Sequence, residues 1–258
     1  ANRVWQWHFG QGIVATPNDF GSRGSVPSHP KLLEFLAGQL VAHNYRIKPT
    51  HRLIMLSDAY QRSSHASKPA HQQDPNNKWL SHFSPRRLTA EEIRDSLLAV
   101  SKELDSLPGE AHPFPPESTW KFSQHAPFNA VYQTKKRSVY MMVQRQRRHP
   151  FLALFDGPNP NASSPVRQQT TVPTQALYFL NDEFFHSCAN LTASRILASD
   201  PAHPMIDELY QLLFQRLPTD AETDITLQFI NTYDGTDEQK WQAVSRVLLS
   251  SNEFLYVD

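Results

Sequence analysis

Cysteine and net charge are what this chain most lacks. A single Cys188 among 258 residues excludes an intramolecular disulfide and a cysteine-rich zinc site, while leaving the cellular compartment open. The 25 basic residues are balanced by 25 acidic ones, so no global field draws in nucleic acid or an anionic surface, and nucleic acid is not an expected partner. No apolar run approaches the roughly 20 residues that a membrane-crossing helix needs. The best candidate, Leu32 to Val41, is interrupted by Glu34 and Gln39.

The common catalytic signatures are missing too. There is no G-x-S-x-G nucleophile elbow, no P-loop and no H-E-x-x-H zinc helix. Without C-x-x-C-H no c-type haem is attached, and no cofactor is expected on this chain. The run GQGIVA satisfies G-x-G-x-x-A at Gly10, Gly12 and Ala15, but an aromatic helix precedes it and Pro17 follows, where a dinucleotide fold requires a strand and then a helix. Twelve histidines lack ligand spacing, so no metal site is expected. A set such as His8, Asp19, His29 and His51 coordinates only if folding gathers it.

What the chain does carry is helix punctuation. Asn2 to Phe9 places Val4 over His8 and Trp5 over Phe9, with Gly10 at the C-cap. Ser28 and Pro30 open a helix bearing Leu32, Leu33, Leu36, Leu40 and Val41. A second begins at Thr50 with Leu53, Ile54 and Leu56, and the two form a hairpin. Thr89 and Glu92 make a capping box ahead of Ile93, Leu97 and Leu98. Pro150 and Pro173 open later helices and Asp182 caps another. Beyond 204 a three-helix pattern follows, with a second capping box at Thr219 and Glu222. Between these elements, residues 61–78 read as a mobile polar loop, 107–136 as a long proline-rich extended segment, and Ser138 to Val143 as a strand. Glu91 and Asp95, with Arg94 between them, read as a solvated helix face.

The densest chemistry lies between Arg137 and Asn181. Arg137, Arg145, Arg147 and Arg148 stand near Asp156 and a later Arg167. Clustered guanidinium groups offer planar bidentate donors to a carboxylate, sulfate or phosphate. The competing reading is a set of ion pairs internal to the fold, each contributing about 0 to 1 kcal/mol at a surface.

Several runs carry a family resemblance: NRVWQWHFGQGIVATPNDFG, HPKLLEFLA, THRLIMLS, RRLTAEEIRDSLLAVS, RSVY with FDGPNP, TTVPTQALYFLND and LLSSNEFLYVD. Together they resemble the domain of unknown function numbered 1553, a planctomycete-specific domain found with cytochrome c modules. The resemblance spans nearly the whole chain. It implies the C-terminal part of a large exported protein whose partners include a cytochrome c-like module elsewhere in the polypeptide, in agreement with an opening on Ala1 that lacks a secretion leader. Its signature positions fall among others on Asn2, His8, Gly10, Asp19, Arg94, Asp95, Arg137, Arg145, Asp156 and Gln175. It departs at Gln61, which precedes Arg62 where the family more often has Tyr directly before that Arg.

The expected fold is mainly α: an irregular multi-helix domain with long ordered loops, one or two minor β-strands and a C-terminal three-helix lobe. Residues 1–200 would form the main lobe and 201–258 the small one, or the two would be continuous. The expected function is a non-catalytic binding or scaffold module, leaning away from an enzyme, with an anionic glycan as ligand and Arg137, Arg145, Asp156, Arg167, His8 and Asp19 as candidate binding residues. The alternative is an enzyme acting on carbohydrate or assisting electron transfer, with His8, Asp19, His51 and Asp156 in one cleft.

Overall fold

The computed structural model describes residues 1–65, 67–109, 133–145, 148–199 and 204–257. They contain twelve α-helices and one two-stranded sheet, a mainly α fold. Two compact units divide the chain, the first made of 1–87 with 164–166 and 256–258, the second of 88–163 with 167–255.

The first unit opens with α1 (Asn2–Phe9), which ends where Gly10 adopts φ 76° and donates its N–H to the Gln6 carbonyl. That left-handed backbone is available to glycine without strain. Asn2 then pins the following loop, donating from Nδ2 to the Val14 carbonyl at 3.0 Å and accepting the Val14 N–H at 2.9 Å. Gly12 lies so close beneath that amide that a Cβ would stand 2.7 Å from Asn2 Nδ2. The G-x-G run is thus a turn clamped by an asparagine.

Helices α2 (Pro30–Ala42) and α3 (Ile47–Met55) form the expected hairpin. Two details of it differ from the sequence reading. Ser28 does not cap α2, because its hydroxyl donates to the Ile13 carbonyl instead. Helix α3 begins three residues before Thr50, which sits buried inside it. Val4, Trp5, Ile13, Leu36 and Ile54 make the core of this unit.

The stretch 61–78, expected as a loop, holds α4 (Lys68–Gln73), capped by the Ser67 hydroxyl. Past it, buried Asp74 accepts the Trp79 N–H and buried Asn77 donates to the His82 carbonyl and Ser84. Side-chain bonds of this kind order a polar segment that hydropathy alone reads as free. Strands β1 (Arg86–Arg87) and β2 (Tyr256–Val257) pair antiparallel.

The second unit is built on α5 (Ala90–Val100), α6 (Pro150–Leu154), α7 (Pro173–Asn181), α8 (Glu183–Leu197), α9 (Met205–Phe214), α10 (Asp220–Thr232), α11 (Asp237–Leu249) and α12 (Asn252–Leu255). Both expected capping boxes are present, and Thr236 with Gln239 makes a third at the start of α11. One core runs through Ile93, Leu97, Phe185, Ala189, Leu209, Trp241 and Leu249, with α9 and α11 packed on α8, and α8 on α5.

The strand expected over Ser138 to Val143 is a 3₁₀ turn, Ser138–Tyr140, followed by irregular chain. Asp95 Oδ1 captures both the Ser138 N–H at 2.8 Å and its hydroxyl at 2.7 Å. Val139 and Val143 face solvent. With its first amide taken by a side chain and only Met141 buried between exposed Val139 and Val143, β-propensity has little to act on. Most of the expected extended segment 107–136 lies outside the described residues.

Candidate functional site

The arginine block resolves into separate local bonds. Arg137 Nε stands 3.9 Å from Asp95 Oδ2, and Arg167 Nη2 donates to Glu91 Oε1 at 3.0 Å. Arg148 reaches the Gly157 carbonyl at 3.4 Å. Arg145 is exposed and makes no ion pair among the described residues, and its own carbonyl accepts from Asn161. Asp156, in left-handed backbone at φ 62°, binds Thr170 twice, at its N–H (2.7 Å) and its hydroxyl (2.8 Å). Arg147 lies outside the described residues.

The α5 face read as solvated turns inward. Arg94 is 4% exposed. Its Nη1 donates to the Lys136 carbonyl at 2.9 Å and to Ser138 Oγ at 3.3 Å, with Asp95 at 3.6 Å and the Phe184 ring 5.8 Å from its Cζ. Nη2 adds a bond to the Thr134 carbonyl. Burial pulls this guanidinium's pKa down while Asp95 pushes it back up. An arginine between two acids on one helix looks solvated because the turn of chain that covers it comes more than forty residues later, a pairing invisible to local periodicity.

Beside Arg94 lies a small cavity of about 180 Å³, walled by His149, Phe151, Tyr178, Asp182 and Phe184. Burial raises the Tyr178 hydroxyl's pKa, helped by its hydrogen bond to Asp182. Burial lowers that of His149, assisted by the Arg94 charge. His149 Nδ1 is buried without a hydrogen-bond partner among the described residues. The other polar walls are already occupied: Asp182 caps α8 through the Phe184 and Phe185 N–H groups, and Arg94 holds the chain over α5. Groups so engaged support structure rather than proton transfer.

In the first unit His8 and His51 come together, with Nε2 and Nδ1 2.7 Å apart, and the edge of Tyr60 packs on His8. Burial, His51 and Arg86 all press the pKa of His8 down. Asp19 and His29 do not join them. Asp19 Oδ1 accepts the Gly21 N–H in its own loop, and His29 Nδ1 pairs with Ser28 Oγ. Among the described residues no three His, Cys, Asp or Glu side chains are grouped to hold a metal. Arg137, Arg145, Asp156 and Arg167 belong to the second unit.

The described residues of the first unit line a cleft of about 500 Å³. Trp5 and Phe9 form one side, their rings stacked at 4.2 Å and 23°, with Ile13 and Leu80 beside them. Gln11, His29, Asn76 and Lys78 are at its polar margin. The side chains of Gln11, Asn76 and Lys78 have no hydrogen-bond or ionic partner among the described residues. By sequence this ground reads as turn and loop, and its signal is Trp5 over Phe9 beside a glycine turn.

These features define a mainly α protein of two compact units, with an aromatic-walled cleft in the first and, in the second, an arginine block in which Arg137, Arg148 and Arg167 have internal partners. Residues 1–230 match the family model of PSD1, a protein of unknown function (DUF1553). The chain belongs to that family. No curated protein and no solved structure matches it.

Proposed function

We propose that this chain is a non-catalytic binding module of a larger exported protein, and that its ligand is an acidic saccharide bound in the cleft of the first unit. The observation that carries the reading is the cleft itself. It sets half-buried Phe9, stacked on the core residue Trp5, beside the Gln11, Asn76 and Lys78 side chains, which have no partner among the described residues. An aromatic wall takes the apolar face of a sugar ring, and the few convergent amides fix its orientation. Lys78 is the one Lys or Arg among the described residues that line the cleft, which selects a uronate or sulfate group. The arginine block is the weaker candidate, because Arg137 and Arg167 already face Asp95 and Glu91.

Calorimetric titration with a uronic-acid tetrasaccharide and its neutral counterpart tests the assignment. The acidic sugar is expected to bind more tightly. Lys78→Ala, at an exposed residue with no partner among the described residues, should weaken it about tenfold, equivalent to roughly 1.4 kcal/mol, and remove the preference. Equal affinity for both sugars, or an unaltered preference in Lys78→Ala, overturns the reading.

A further inference from the structure

Helix α2 turns Leu32, Leu33 and Leu36 toward the core of its unit, and Leu36 is its one buried residue. Phe35 and Val41 lie away from that row, on a side that also carries Lys31 and Glu34. Here Phe35 and Val41 are 51% and 57% exposed.

Helix α3 behaves the same way. It buries Thr50 and Ile54. At 3.6 residues per turn, the opposite arc, extended by its C-cap Leu56, presents Met55, Lys48, Arg52, Leu56 and Leu53 in that angular order. Between the helices Tyr45 stands 75% exposed, held out by left-handed backbone at φ 59°. From 30 to 56 the chain has four cations, Lys31, Arg46, Lys48 and Arg52, and one acid, Glu34. The side chains of Arg46, Lys48 and Arg52 bond to nothing among the described residues.

We propose that the outer faces of α2 and α3 dock a protein partner whose contact surface is apolar and studded with carboxylates. The placement of charge selects that occupant. Lys48 and Arg52 stand inside the apolar arc, between Met55 and Leu56, and not along its margins. A lipid surface would drive both cations under hydrocarbon, whereas an interfacial helix keeps its cations on the polar side. A second copy of the chain would set this cationic face against itself. Carboxylates on a protein surface meet guanidinium and ammonium groups with directed bonds, while surrounding Met, Phe and Tyr, types enriched at interfaces, exclude water.

Two synthetic amphipathic helices test this, each with a leucine face, one flanked by glutamate and the other by lysine. The whole chain is expected to bind the glutamate helix saturably and at least tenfold tighter than the lysine helix. Binding should slow amide exchange across residues 30–56. The double variant Lys48→Glu with Arg52→Glu changes two exposed side chains without partners and is expected to reverse the preference. The proposal is overturned by equal binding of the two helices, by no binding, by an unreversed preference, by a dimer in sedimentation that protects 30–56, or by cosedimentation with phosphatidylcholine–phosphatidylglycerol vesicles.

Discussion

Arg94 shows how a single residue organises the second unit. Its guanidinium is stripped of water, and the cost is offset by the Lys136 and Thr134 carbonyls, Ser138 and the neighbouring Asp95. Removing one partner of such a buried pair leaves polar groups without water or bonds. Arg94→Ala is therefore expected to lose about 3 kcal/mol in urea unfolding. Arg94→Lys should recover less than half, because an ammonium group cannot span the same acceptors. A loss below about 1 kcal/mol would mean that the network contributes little. Cys188, on α8, is inert for a related reason. Burial raises its thiol pKa to about 11, so iodoacetamide at pH 8 should modify the unfolded chain and spare the native one.

At the scale of elements, the capping boxes and one ionic hub set where helices start and meet. Thr89→Ala removes the acceptor of the Glu92 N–H and is expected to cost about 1 kcal/mol of stability. Arg216, just past the end of α9, donates to Glu222 on α10 and to Glu253 on α12, so one side chain joins three helices. Its hydrogen bonds are the main cause holding the Glu222 carboxyl at about 2, against 4.5 for an ordinary glutamate. A carboxyl pKa depressed in the folded state contributes stability that is present above 4.5 and lost as pH falls towards 2. Acid titration of Tm should thus fall more steeply over that interval in the wild type than in Arg216→Ala. Parallel curves would show that Glu222 is not so coupled.

At the scale of the whole molecule, each unit carries a half-buried histidine whose surroundings favour the neutral ring. The pKa values of His8 and His149 are both lowered, chiefly by burial. The unfolded chain then takes up protons first as pH drops through the ordinary histidine range. Stability from these groups is complete above that range and declines as pH falls through it. Tm is expected to fall between pH 7.5 and 5.5, and the double variant His8→Gln with His149→Gln should flatten that slope. An unchanged slope would assign the acid sensitivity to carboxylates.

Much of this architecture is legible residue by residue. Thr89 with Glu92, Thr219 with Glu222 and Asp182 each cap a helix start through groups within three positions, and Pro150 and Pro173 stand in the first turns of theirs. Such signals depend only on neighbours, so one chain without context suffices to read a mainly α fold. The family's characteristic runs are local in the same sense. The candidate site was less legible, since the sequence names Arg137 and Arg167 but not their distant partners, Asp95 and Glu91. Only tertiary structure turned Arg94 inward, converted an apparent strand at Ser138 into a turn, paired Arg86–Arg87 with Tyr256–Val257, and opened a cleft beside Trp5 and Phe9. Each of those outcomes depends on which side of an element another segment covers, and burial of that kind is settled by contacts between residues far apart in the chain.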